Sequence, residues 1–170
     1  QGLLYPPAIM ETIKMNITVE QRPSITVFAM RHTGPYPEIA KTFNELWQWV
    51  CSEKRESQAK SGLCIYYDDP VVTPAEQCRA DTCVELEQPY PEDSDRIRRV
   101  EIPAGTYARY RHVGSYSMLG QAYEALCGQW LSTSGYEAAN APPFEIYVNN
   151  PYDTPEEQLI TDIYIQVIDK

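Results

Sequence analysis

Arg31-His32-Thr33-Gly34-Pro35-Tyr36 recurs 80 residues later as Arg111-His112-Val113-Gly114-Ser115-Tyr116, and the two stretches hold both histidines of a 170-residue chain. The same offset pairs Pro23 with Pro103 and Thr26 with Thr106. It also pairs Ile39, Phe43, Leu46 and Val50 with Leu119, Tyr123, Leu126 and Trp130. Those four positions follow i, i+4, i+7, i+11, the apolar stripe of an amphipathic helix. Each motif therefore ends a strand, turns at glycine and opens a helix.

Further on, the repeat continues at an offset of 81: Ile65-Tyr66 matches Ile146-Tyr147, Thr73-Pro74 matches Thr154-Pro155, and Asp81 matches Asp162. The one-residue change reads as a loop insertion. Strands are expected at about 25–32, 63–67, 80–86, 106–112, 144–148 and 160–167, with helices at about 37–51 and 117–131. Charged residues 51–62 read as a solvated helix end or loop, and residues 87–97 as the link between halves. The fold class is α+β: duplicated β-α-β-β repeats with pseudo-two-fold symmetry, an antiparallel sheet with helices on one face. Residues 1–14 read as a tag remnant or linker, with Met15 a possible natural start. One domain is expected over 15–170, with repeat one about 15–88 and repeat two about 98–170.

Composition excludes several function classes. Fourteen basic against 24 acidic residues give a net charge of −10, which argues against gripping nucleic acid through phosphate neutralisation and against anionic membrane surfaces. No apolar run approaches a membrane span. Five cysteines (51, 64, 78, 83 and 127) without a CxxC read as reduced thiols of a cytoplasmic protein, not as a disulfide framework or zinc site. No paired-histidine spacing or calcium loop appears, so neither a metal nor a cofactor is expected. Asp68-Asp69 reads as a turn cap, and His32, His112, Asp81 and Asp162, present in both repeats, as structural.

Period-two alternation assigns faces. Phe144, Ile146 and Val148 are expected to pack on the helices, as are Leu63, Ile65 and Tyr67, and Ile163, Ile165 and Val167. The opposite face then collects Cys64, Tyr66, Glu145, Tyr147 and Tyr164. The chain has 13 tyrosines against 3 phenylalanines, so this face is a plausible address for the excess. Glu145 breaks the internal symmetry, because its repeat partner is Cys64. An acid among tyrosines suits a flat, apolar or cationic molecule; equally, it fits the wet side of a half-solvated sheet. Cys64 has no visible base and reads as a wall residue.

Four stretches together carry a family resemblance: RHTGPYPEIAKTFNELWQWV (31–50), CIYYDDPVVTPAEQCRADTCVEL (64–86), PAGTYARYRHVGSY (103–116) and PPFEIYVNNPYDTPEEQLITDIYIQV (142–167). The chain resembles the GyrI-like superfamily over about residues 15–168. The superfamily includes gyrase inhibitory proteins and the effector-binding domains behind AraC-type or MerR-type DNA-binding domains. The resemblance implies two repeats around a central ligand cleft, with Glu145 in an aromatic pocket that meets cationic ligands. Tyr66, Tyr147, Tyr164 and Cys64 are the accompanying candidates.

Three functions follow as expectations. The first is a drug-sensing domain of an AraC-type regulator, touching DNA only through a helix-turn-helix absent from this chain. The second is a hydrolase of cyclopropane-containing genotoxins using Glu145 as its catalytic residue. The third is a DNA gyrase inhibitor.

Overall fold

The computed structural model describes residues 16–170; the stretch 1–14 assigned to a tag or linker lies outside them. Chain order is β1 (Ile17–Arg22), β2 (Ile25–Thr33), α1 (Ile39–Ser52), β3 (Ala59–Tyr66), β4 (Arg79–Leu86), β5 (Arg98–Ile102), β6 (Gly105–Val113), α2, β7 (Tyr136–Ala138), β8 (Phe144–Tyr147) and β9 (Ile160–Asp169). The helix α2 is built from Leu119–Tyr123, a π-helical turn Glu124–Trp130, and Leu131–Thr133. The architecture is α+β, with antiparallel pairing in β1–β6, β2–β4, β2–β5, β3–β4, β6–β9 and β7–β9.

The chain divides into two compact units. The first holds Pro23–Ala104 and Pro142–Ile146; the second holds residues 16–22 with Gly105–Ala141 and Tyr147–Lys170. In the first unit, strands run in the order β3-β4-β2-β5. The helix α1 lays Leu46 and Val50 on Phe28, Met30, Val84 and Leu86. In the second unit the order is β1-β6-β9, and α2 covers Ala108, Ile163, Ile165 and Val167 with Ala122 and Leu126. The packing units and the sequence repeats thus exchange β1 for β5, and the first unit also takes residues 142–146 of repeat two. β1 opens repeat one but pairs with β6 of repeat two; β5 opens repeat two but pairs with β2 of repeat one.

Three strands escape the sequence pattern: β1, β5 and β7. β1 is Ile-Thr-Val-Glu-Gln-Arg with no fully buried residue, so no apolar face announces it. Part of the stretch expected as loop, residues 59–62, begins β3. The one-residue offset also lies elsewhere than expected. Ile39 and Leu119, which open the helices, are 80 apart, whereas Ser52 and Thr133, which close them, are 81 apart. The extra residue is inside α2, where the π-helical turn absorbs it.

The repeated motif forms the same turn twice. Gly34 and Gly114 take φ of +136° and +133°, and their N–H groups donate to the carbonyls of Cys78 and Leu159, both at 2.8 Å. His32 Nε2 donates to the Pro35 carbonyl and His112 Nε2 to the Ser115 carbonyl, each at 3.0 Å. Thr42 Oγ1 lies 2.8 Å from His32 Nδ1, which leaves that nitrogen as acceptor. Both histidines brace the strand-to-helix turn.

Candidate functional site

Register decides the faces of the first unit. Cys64 pairs with Thr82 and Tyr66 with Ala80 in β4, while Thr82 pairs with Met30 in β2. Directly paired residues project to one side, and Met30 lies under α1. Cys64 and Tyr66 therefore share the helix-bearing face, the reverse of the expectation from alternation. Leu63, Ile65 and Tyr67 take the helix-free face, alongside Cys83 and Asp81. The physical reason is that Leu63, Cys64 and Ile65 are all buried, so this strand has no wet side for alternation to mark.

Glu145 is 2% exposed, which removes the half-solvated reading. The Tyr66 N–H donates to the Pro143 carbonyl at 3.1 Å, tying the segment that carries Glu145 to β3. The Tyr66 hydroxyl donates to Glu145 Oε1 over 3.4 Å, a long bond. Tyr36, in the turn that opens α1, meets the Tyr66 ring edge-on, with centroids 4.8 Å apart and planes at 75°. Its hydroxyl lies 2.8 Å from the carbonyls of both Asp68 and Arg79. Burial pushes the Tyr36 phenol up to about 12, so it stays protonated and its ring is held as a fixed wall. Burial likewise pushes the Cys64 thiol well above its ordinary value, and the Glu145 charge adds to the effect. Cys64 is a neutral, unreactive surface next to the carboxylate.

Cys64, Tyr66 and Glu145 are thus brought together in the first unit. Tyr36 joins them; its place in the repeated RHTGPY motif assigned it to the turn, although its repeat partner Tyr116 signals a shared role. Tyr147 meets Tyr116 in the second unit as Tyr66 meets Tyr36, with centroids 5.7 Å apart at 66°.

Tyr164 does not belong with Tyr147. It alternates with Ile163 and Ile165, which pack under α2, and so faces the helix-free side. There Arg22 stacks 4.3 Å over its ring and donates to its hydroxyl at 2.8 Å, and Tyr107 meets it edge-on. The helix-free faces also carry an ion cluster in each unit. Arg31 and Arg98 donate to Asp81 Oδ1 at 2.9 and 2.6 Å, and Tyr67 to Oδ2 at 2.6 Å. Arg111 holds both oxygens of Asp162 at 2.9 Å. The recurrent aspartates are structural, and Arg31 and Arg111 lie on the face away from the helices.

Chemically, a buried carboxylate between a thiol and a tyrosine hydroxyl, walled by an edge-to-face tyrosine pair, favours a cation with aromatic surface. At an effective dielectric of 20, a charge pair at 4 Å contributes about 4 kcal/mol. Each aromatic contact adds about 0.5–1.5 kcal/mol. All five cysteines are free, and no helix among the described residues is long and apolar enough to cross a membrane.

Comparison with known proteins agrees with this fold. A DNA gyrase inhibitor of Escherichia coli K12 is 32% identical over 143 residues, covering 80% of this chain and 87% of that protein. The "Probable transcriptional regulator YgiV" of the same strain is 27% identical over 161 residues, covering 92% of this chain and 98% of that one. Among solved structures, the C-terminal domain of EcmrR superposes with a TM-score of 0.77 at 20% identity, over 91% of this chain and 98% of that domain. The GyrI-like small molecule binding domain model matches residues 15–168, and the chain belongs to that family.

Proposed function

We propose that this small-molecule binding domain takes aromatic, lipophilic cations, with Glu145 as counter-charge and Tyr66 and Tyr36 as walls. The burial of Glu145 among these rings carries the reading. Desolvation makes a buried carboxylate costly, and a positive ligand that reaches it offsets that cost. In a regulator, such binding would shift an upstream DNA-binding domain by the ligand's differential affinity for two states. The YgiV relative, matched over 98% of its own length, is named a probable transcriptional regulator.

Calorimetry with tetraphenylphosphonium and its anionic isostere tetraphenylborate tests the charge. The phosphonium is expected to bind and the borate to fail. Glu145→Gln is expected to weaken the phosphonium at least tenfold while leaving the melting temperature near wild type. Equal binding of both ions, or an unchanged affinity in Glu145→Gln, overturns the proposal.

A second reading rests on the 32% identity to a DNA gyrase inhibitor. Here the purified protein is expected to inhibit supercoiling by DNA gyrase in a dose-dependent way. Full supercoiling at a large molar excess of the protein removes this reading without touching the first.

A further inference from the structure

A groove of about 460 Å³ opens in the first unit between α1 and the turn before β5, on a floor of Met30, Trp49 and Ile97. Its rim carries Glu45, Asp95 and Arg96. None of these residues belongs to the Glu145 site. The volume lies in the range of small-molecule sites. The wall is preformed: Ser94 N–H donates to the Ile97 carbonyl, Ser94 Oγ accepts from the Ile97 N–H, and Asp93 accepts from the Arg99 N–H, at 3.0–3.2 Å.

The partners of Ile97, Met30 and Glu45 at the 80-residue offset are Ile17, Tyr110 and Ala125. In the second unit those three pack together, with a tyrosine at the position that Met30 takes in the first.

We infer that the groove is a second ligand site, for a small monocation with a fused aromatic ring. The half-buried Trp49 offers aromatic surface to the groove, above the buried Met30 and Ile97. Two carboxylates against one guanidinium leave the rim with an excess negative charge. Arg96 pairs with Glu45 across the mouth and also reaches the Met30 sulfur at 3.8 Å. Both ion-pair side chains are more than half exposed, so the bridge contributes little. An incoming ammonium can replace Arg96 on Glu45.

The experiment is calorimetry of 1-naphthylmethylammonium against the Glu145→Gln protein, in which the other carboxylate is removed. Saturable one-site binding is expected, with no binding of 1-naphthylacetate. A Glu45→Gln/Asp95→Asn double variant, altered only at the surface, should lose at least tenfold. Met30→Tyr, which installs the residue of the other repeat, should abolish binding. Trp47→Phe, outside the groove, should leave it unchanged. Absence of binding to the Glu145→Gln protein, equal binding of the carboxylate, or an unaffected double variant overturns the inference. None of these results bears on whether tetraphenylphosphonium needs Glu145.

Discussion

Asp81 has no exposed surface and accepts from Arg31, Arg98 and Tyr67. Burial alone would raise its carboxyl, but the hydrogen bonds from Tyr67, Arg31 and Arg98 outweigh it and hold the group below the ordinary carboxylate range. The unfolded chain therefore takes up this proton more readily than the folded one. The stability it confers is complete above the unfolded value of about 4 and is lost as pH falls through the lower folded value. Denaturant unfolding from pH 7 down to pH 2 should show this loss in wild type. Asp81→Asn should start about 2 kcal/mol less stable at pH 7 and decline less steeply in acid. An identical acid slope would refute the assignment. At this scale the sequence was most legible where the repeat is broken. Glu145 stands out because Cys64 is its repeat partner, and the structure buries it. Tyr36 was hidden because a tyrosine after Gly-Pro reads as turn furniture. Alternation reads the helix-free face of Tyr164 correctly; it was misgrouped because Cys64 and Tyr66 take the other face.

The π-helical turn Glu124–Trp130 separates the two helices as elements. With this turn α2 holds one more residue than α1, and Leu126 still packs on β6 and β9. Deleting Gly128, which is exposed, should restore regular α geometry, with the melting temperature within a few degrees of wild type. Deleting the exposed Gln48 from α1 should rotate Val50 out of the core by about 100° and unfold the first unit. Circular dichroism melts separate the outcomes, and a Gly128 deletion as damaging as the Gln48 deletion refutes the insertion. Turn glycines give a second test: Gly34→Ala and Gly114→Ala each place a Cβ at positive φ and should cost about 1–3 kcal/mol. The helices, turns and six main strands were legible because their apolar residues keep one period. β1 and β5 were not, since each is a half-exposed edge with mixed polarity. The faces of β3 were misread for the opposite reason: apolar residues fill both sides.

Across the whole chain, each compact unit draws strands from both repeats. A fragment of residues 16–88 keeps β1 but not its partner β6; one of 98–170 keeps β5 but not β2. Each fragment alone should show little cooperative unfolding, and mixing the two should restore it. Independent two-state melting of either fragment would contradict the exchanged strands. The repeat itself was legible from two histidine motifs, whereas the exchange was not, because pairing between β1 and β6 leaves no trace in local pattern. Duplication within one chain also bears on the site. An assembly of identical single repeats must place the same residue at both equivalent positions. Its choices at this point are two thiols, or two buried carboxylates whose mutual repulsion would keep one of them protonated. A chain that carries the repeat twice is released from that symmetry: it can hold a neutral Cys64 at one position and an acidic Glu145 at the other.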